Sequence, residues 1–292
     1  MAQLGRRLPQ NAQGEFYVDD TCIDCDACRQ IAPETFRDHG DQSSVGRQPT
    51  TPEETRRALM SLVACPTASI GTVSHLNARD GAQSFPTNVF DNIFFCGFTS
   101  EASFGAWSYL IVRAQEDGGN ILVDSPRFTG PLVKRIEAMG GVSVMFLSHR
   151  DDIADHVKFA EHFHCPRTMH EGDGARQLGI EHVIGGEAPV TLGSDLICIP
   201  TPGHTRGHQV LLYRHQALFT GDHLAWSPER DTLIAFRDAC WYSWAVQTRS
   251  MERLTDYRFE WVLPGHGRIH HAPAVEMHRH LELCVAWMKQ QR

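Results

Sequence analysis

Over the first 75 residues the apolar positions come in short groups between polar and cysteine-bearing stretches. Arg29-Gln-Ile-Ala has a short helical pattern that Pro33 stops. A second helix is predicted from Thr51-Pro52-Glu53-Glu54, where Thr51 suits an N-cap and Pro52 the first helical position. Leu59, Leu62 and Val63 carry it on to Cys65. The polar run from His75 to Pro86 predicts a linker. Beyond residue 87 the pattern alternates. Strands are predicted at Trp107 to Val112, Ile121 to Asp124, Val142 to Leu147, Leu196 to Pro200, Gln209 to Tyr213, Ala217 to Thr220 and Trp261 to Leu263. Helical spacing appears at Leu132 to Met139, Val157 to Phe163, Trp241 to Tyr257 and Ala274 to Lys289. The expected fold class is therefore α+β: a small module over 1–75, a linker over 76–86, and a sheet-rich domain covered by helices over 87–292.

Composition narrows the function classes. Hydrophobic residues make up 41% and charged residues 21%, enough for packed cores. The net charge is −8, and Lys/Arg clusters with interleaved aromatics are missing, which argues against nucleic acid as a partner. Arg6-Arg7 is not followed by an apolar stretch, so a secretory leader is not expected. An apolar run of about 18 residues is also missing, so no membrane partner is expected and the location expected is cytoplasmic. Nine cysteines in such a chain point to metal or redox chemistry rather than to a disulfide framework.

Four of those cysteines form a pattern: Cys22-x-x-Cys25-x-x-Cys28, with Cys65-Pro66 far downstream. Two-cluster bacterial ferredoxins carry C-x2-C-x2-C-x3-C-P, whose fourth cysteine serves the other cluster. Here Ala32 stands at that fourth position, before Pro33, and Cys65 completes a single quartet. The tight triplet lets three thiolates face one cubane, and its backbone N–H groups can turn toward the sulfurs. A structural zinc site on the same cysteines is the alternative, although zinc ribbons usually pair two Cys-x-x-Cys knuckles. The stretch Cys22 to Phe36, together with Ala-Cys65-Pro-Thr-Ala-Ser-Ile, resembles single-cluster [4Fe–4S] ferredoxins over about a quarter of the chain. The resemblance implies one-electron transfer and a redox partner protein. The other five cysteines read as small buried residues.

A second set of residues ends the apolar runs: His149, Asp151, Asp152, Asp155 and His156 after the first, then His204 and His208, then Asp222 and His223, then His266. Such strand ends can aim their side chains into one cleft. Thr201-Pro-Gly-His-Thr-Arg-Gly-His208 and Phe219-Thr-Gly-Asp222 resemble the metallo-β-lactamase superfamily, its glyoxalase II branch above all, and Leu122-Val-Asp124 resembles that family's second-strand aspartate. The resemblance covers roughly residues 88–292 and implies an αββα sandwich with a one- or two-metal site, filled by zinc, iron or manganese. The family motif is H-x-H-x-D-H. Here the segment from His149 to Asp155-His156 is two residues longer and lacks the second histidine; Asp151 stands at its spacing. By resemblance, Asp155, His156 and His266 complete one site, with Asp222 as the bridge. The site with His149 and His204 has lost an imidazole and takes Asp151 or Asp152 instead, binds weakly or stays empty. A carboxylate there moves preference from zinc toward iron or manganese, and flavodiiron proteins carry one.

Three functions stay open at this point. The first is a metal-dependent hydrolase of an ester, thioester or lactone-like small molecule, with Asp155 accepting the proton. The second is an iron-dependent oxidoreductase fed by the cluster, and the third a non-catalytic redox sensor. His170, His208 and His223 are candidates for orienting the ligands. The segments Trp226 to Arg230 and Trp241 to Trp244 are expected to overlook the cleft.

Overall fold

The computed structural model describes residues 1–291, in two compact units. The first is Met1–Leu110 with Pro126–Gly141, and the second is Ile111–Ser125 with Val142 onward.

The first unit opens with strands β1 (Phe16–Val18), β2 (Phe36–Asp38), β3 (Ser43–Val45) and β4 (Ile70–Thr72), and helices α1 (Ala27–Ile31) and α2 (Pro52–Ala64). β1 pairs antiparallel with β4, and β2 with β3. Three-residue strands cannot stand alone in water. They hold because Phe16, Val18, Phe36 and Val45 bury against Ala58 and Leu59 of α2 and against Ile70. α2 starts where its sequence says: Thr51 Oγ1 accepts from Glu54 N at 3.1 Å, and the Glu54 carboxylate accepts from Thr50 N at 2.7 Å.

The stretch expected to be a linker contains a helix, α3 (Arg79–Gln83). Gly81 is buried against the α2 backbone at Leu59 and Met60, and Arg56 Nη1 donates to Ser84 Oγ at 3.0 Å. The polar composition there reflects an amphipathic cover on α2 rather than a free connection. The unit continues through the hairpin β5 (Thr87–Phe90) and β6 (Ile93–Phe95), the first two residues of strand β7 (Tyr109–Ile111), and helix α4 (Gly130–Ala138). It runs well past residue 75 because aromatic residues there need burial. Phe95 stacks on Trp107 at 3.7 Å between ring centroids, and Phe85 meets Phe95 edge-on at 5.6 Å.

In the second unit, β8 (Ile121–Val123), β9 (Val144–Phe146), β10 (Arg167–His170) and β11 (His182–Ile184) pair in parallel, with α5 (His156–Phe163) between β9 and β10. Then β12 (Val190–Gly193), β13 (Leu196–Pro200), β14 (Gln209–Tyr213) and β15 (Ala217–Gly221) form an antiparallel meander. A small hairpin, β16 (Ala225–Ser227) and β17 (Thr232–Ile234), precedes α6 (Trp244–Leu254). β18 (Trp261–Pro264) lies parallel beside β15, followed by β19 (His270–His271) and α7 (Ala274–Gln290). Alternate residues of the second sheet, Ile199, Val210, Leu212, Leu218 and Val262, pack on Met251 and Leu254 of α6 and on Met277, Leu281 and Met288 of α7. On its other face Leu196 and Leu211 share a cavity of about 310 Å³ with Ile121 and Phe146 of the first sheet. These strands of the two sheets thus face each other, with α6 and α7 on the outer face of the second. Among the described residues, no helix is long and apolar enough to cross a membrane.

Replacing Thr51 by Ala removes the α2 cap and should cost about 1 kcal/mol. Thermal unfolding should show a lowered midpoint that Thr51→Ser restores.

Candidate functional site

In the first unit the cysteine loop is wound tightly by two left-handed residues, Asp24 at φ 59° and Asp26 at φ 64°. Arg29, nearly buried, pins it by pairing with Asp24 at 2.7 Å and Asp26 at 2.5 Å. Cys22, Cys25, Cys28 and Cys65 line one cavity. Ser43 N and Ser69 N donate to the Cys22 and Cys65 sulfurs at 3.4 and 3.3 Å. Burial pushes the Cys25 thiol up to about 12, and the Cys65 and Cys22 sulfurs add to the effect. Sulfurs so placed resist ionisation alone and suit a cationic core that neutralises them as thiolates. Gly105 closes over this loop: a Cβ there would sit 2.7 Å from Cys25 Cβ and 2.9 Å from its Sγ, and its φ is +85°.

In the second unit, strand ends deliver the other donors. The parallel register of β15 and β18, with Phe219 opposite Leu263, brings Asp222 and His266 to one edge. β9 leads into His149, and β13 into the loop of His204. Asp222 Oδ2 lies 3.6, 3.7 and 3.8 Å from Nε2 of His149, His204 and His266. Asp151 Oδ2 is 3.5 Å from His204 Nε2 and 3.9 Å from His149 Nε2. Asp152 Oδ1 is 4.0 Å from His266 Nε2. These spacings are at or beyond hydrogen-bond reach. They suit donor atoms that share a cation at about 2.0–2.2 Å each.

Two three-residue groups result: His149, His204 and Asp222, and Asp152, Asp222 and His266, each with its donor atoms within 4.8 Å of one another. Asp222 belongs to both. His149 Nε2, His204 Nε2, Asp151 Oδ2, Asp152 Oδ2 and Asp222 Oδ1 are buried atoms without a hydrogen-bond partner. Left so, each would carry an uncompensated desolvation cost. A Cβ at Gly265 would come within 2.6 Å of Asp152 Oδ2 and 2.9 Å of Asp222 Oδ1, so the missing side chain keeps the carboxylates clear. The donor set fits one or two divalent cations, and its carboxylate content suits iron or manganese as well as zinc.

Charge in this pocket is strongly coupled. Burial works against a charged His149, but the Asp152 and Asp222 carboxylates outweigh it and raise the imidazole to about 10. Burial lifts Asp152 well above the usual carboxylate range, and neighbouring Asp222 adds to this. Burial also disfavours charge on Asp222, yet His266, His149 and His204 hold it below its ordinary value. Carboxylates able to hold a proton on a buried imidazole can hold a metal cation in its place. Burial keeps His208 and His223 neutral, the latter lowered to about 3.

Supporting contacts fix the donors. Ser148 Oγ bonds His149 Nδ1 at 2.9 Å, and Asp124 Oδ1 accepts from Ser148 N at 2.7 Å. Thr201 Oγ1 bonds His208 Nδ1 at 2.9 Å. Asp173, unremarked in the sequence, ties two donor loops together. Buried behind them, it accepts from Arg150 N at 3.1 Å and from Thr205 Oγ1 and Gly207 N at 2.6 Å each.

Of the expected ligands, His149, His204, Asp222 and His266 come together with Asp151 beside them. Neither group contains Asp155 or His156. The carboxylate beside His266 belongs to Asp152 instead. The reason is helix α5, which begins at His156: Asp155 sits at its start and pairs with Lys158 at 2.7 Å, while His156 Nδ1 meets Arg167 Nη1 at 3.1 Å. The two extra residues let the chain turn into that helix after Asp152. His170 bonds Gly186 O at 2.8 Å and accepts from Gly172 N at 3.0 Å, so it shapes a loop. Trp226 stacks on His270 at 3.5 Å as part of the packing, whereas Trp241 is largely exposed with its ring 6.3 Å from that of His204.

Residues 18–72 match the family model described as the 4Fe-4S single cluster domain of Ferredoxin I. The metallo-β-lactamase from Pontibacter korlensis superposes with a TM-score of 0.53 at 16% identity, over 70% of this chain and 98% of the other. The DIM-1 metallo-β-lactamase exposed to ceftazidime gives 0.52 at 19% identity, over 68% and 95%. The chain joins a segment that matches a single-cluster ferredoxin domain to a metallo-β-lactamase fold. The fusion also shows 29% identity over 121 residues to a hydroxyacylglutathione hydrolase from Salmonella arizonae, covering 40% of this chain and 47% of that protein. It thus spans about half the length of the curated relative it matches.

Gly105→Val should crowd Cys25 and lower the iron bound from about four per chain, together with the cluster's visible absorbance, while circular dichroism stays that of a folded chain. Asp173→Ala should weaken metal retention against a chelator by about 10–100-fold, with Asp173→Asn intermediate.

Proposed function

We propose that the second domain is a metal-dependent hydrolase of an ester, thioester or lactone-like small molecule. The observation that carries this reading is the pair of donor groups sharing Asp222 at a strand-end cleft. The partial identity to a hydroxyacylglutathione hydrolase supports the same reaction class. When bound, metal at His149, His204, Asp222, Asp152 and His266 would supply Lewis acidity and an activated water. Asp151 would stand in for the absent imidazole.

The chain's own residues define the rest. Asp152 would take the part expected of Asp155: its Oδ2 is buried and lacks a hydrogen-bond partner. It is placed to accept the proton from the attacking water and return it to the leaving group. Ser148 and Thr201 hold His149 and His208 in fixed ring orientations. Cys22, Cys25, Cys28 and Cys65 would hold a [4Fe–4S] cluster that exchanges one electron with a redox partner protein.

A second reading, a cluster-fed iron oxidoreductase, is favoured by one observation: Asp151 replaces an imidazole and enriches the site in hard oxygen donors. Elemental analysis of anaerobically purified protein separates the two. Zinc or manganese, with thioester turnover in the absence of reductant, supports the hydrolase. Iron beyond the cluster's four, with activity that requires an electron donor, supports the oxidoreductase. Under the hydrolase reading, Asp152→Asn should lower kcat/KM by about 10²–10⁴-fold, whereas Asp155→Asn should leave it within about twofold. Equal losses would restore Asp155 to the mechanism.

A further inference from the structure

A cavity of about 610 Å³ borders the loop that carries His204. Pro202 and Arg206 of that loop form one wall. Gly172 forms another, so close that a Cβ there would sit 3.0 Å from Arg206 O. Tyr242, just before α6, and Val246 and Arg249, three residues apart on that helix, form a third. The backbone ties this wall to the metal-ligand loop: Trp241 N and Tyr242 N donate to His204 O at 2.9 and 3.0 Å.

The charge in this cavity runs against that of the chain. The protein carries −8 overall, yet Arg176, Arg206 and Arg249 all line it. Its two carboxylates are occupied. Glu171 lies 3.6 Å from Arg176, and Glu187 lies 3.4 Å from Arg253, which also donates to the Glu187 carbonyl at 2.6 Å. Among the described residues, Arg206 and Arg249 have no carboxylate within ion-pair distance. Two exposed guanidiniums without carboxylate partners, on two walls of a ligand-sized cavity, make a receptor for an oxyanion.

We propose that this cavity binds a doubly negative group of the substrate, a phosphate monoester or a pair of carboxylates, through Arg206 and Arg249. The reactive carbonyl would then lie toward His204. That placement rests on the hydrolase reading; the anion site itself does not.

The test uses the full-length protein as purified and three uncleavable thioethers with the same alkyl chain. One is neutral, one carries two carboxylates and one a phosphate monoester. Calorimetry should show an anionic ligand binding at least about tenfold tighter than the neutral one, with the gap narrowing as salt rises. The better of the two anions identifies the group. Arg206→Gln/Arg249→Gln should erase the gap, and Arg249→Gln alone, on an exposed helix face, should reduce it. Equal affinity for all three ligands, or a gap that survives in the variants, overturns the proposal. The matching thioesters distinguish its failure from that of the hydrolase. Turnover without charge preference sinks the anion site alone, and charge-selective binding without turnover of any thioester sinks the hydrolase alone.

Discussion

Everything in the second domain turns on a crowd of polar atoms that protein alone does not satisfy. Asp222 faces three imidazoles, and two further carboxylates stand alongside. A buried cluster of that kind is unfavourable unless something cationic shares it. The surrounding strands supply rigidity in return. β15 and β18 end in parallel register, and Asp173 fastens two donor loops by three hydrogen bonds from behind. Strand ends and the Asp173 hydrogen bonds thus position the donors from outside the site.

The first domain meets the same problem with sulfur. Four thiols share one cavity, and burial raises the proton affinity of Cys22, Cys25 and Cys28, so a cationic core is what would stabilise them as thiolates. Arg29 and two left-handed aspartates hold the loop in shape. In both centres backbone geometry and surrounding hydrogen bonds fix the donors.

Much of this was legible in the chain. The Thr51 cap and the strand ending before His149 were readable, because caps and apolar runs are local signals. Two features were harder to see. Asp152 looked like a neighbour of the expected ligand, since residue types alone do not say where the chain turns away. Only the start of α5 at His156 shows where the chain turns away. Asp173 and Gly105 act through contacts distant in sequence, and no periodicity marks them. The stretch 76–86 misled for a related reason: a short amphipathic cover has the same composition as a free linker.

That cover bears on where the chain can be cut. Helix α3 lies on the back of α2, and Gly105 lies over the face of the cysteine loop. A chain cut at residue 75 would lose both contacts. The cysteine-bearing segment thus packs against residues as far along as 105, and an excised domain that kept its contacts would have to include them.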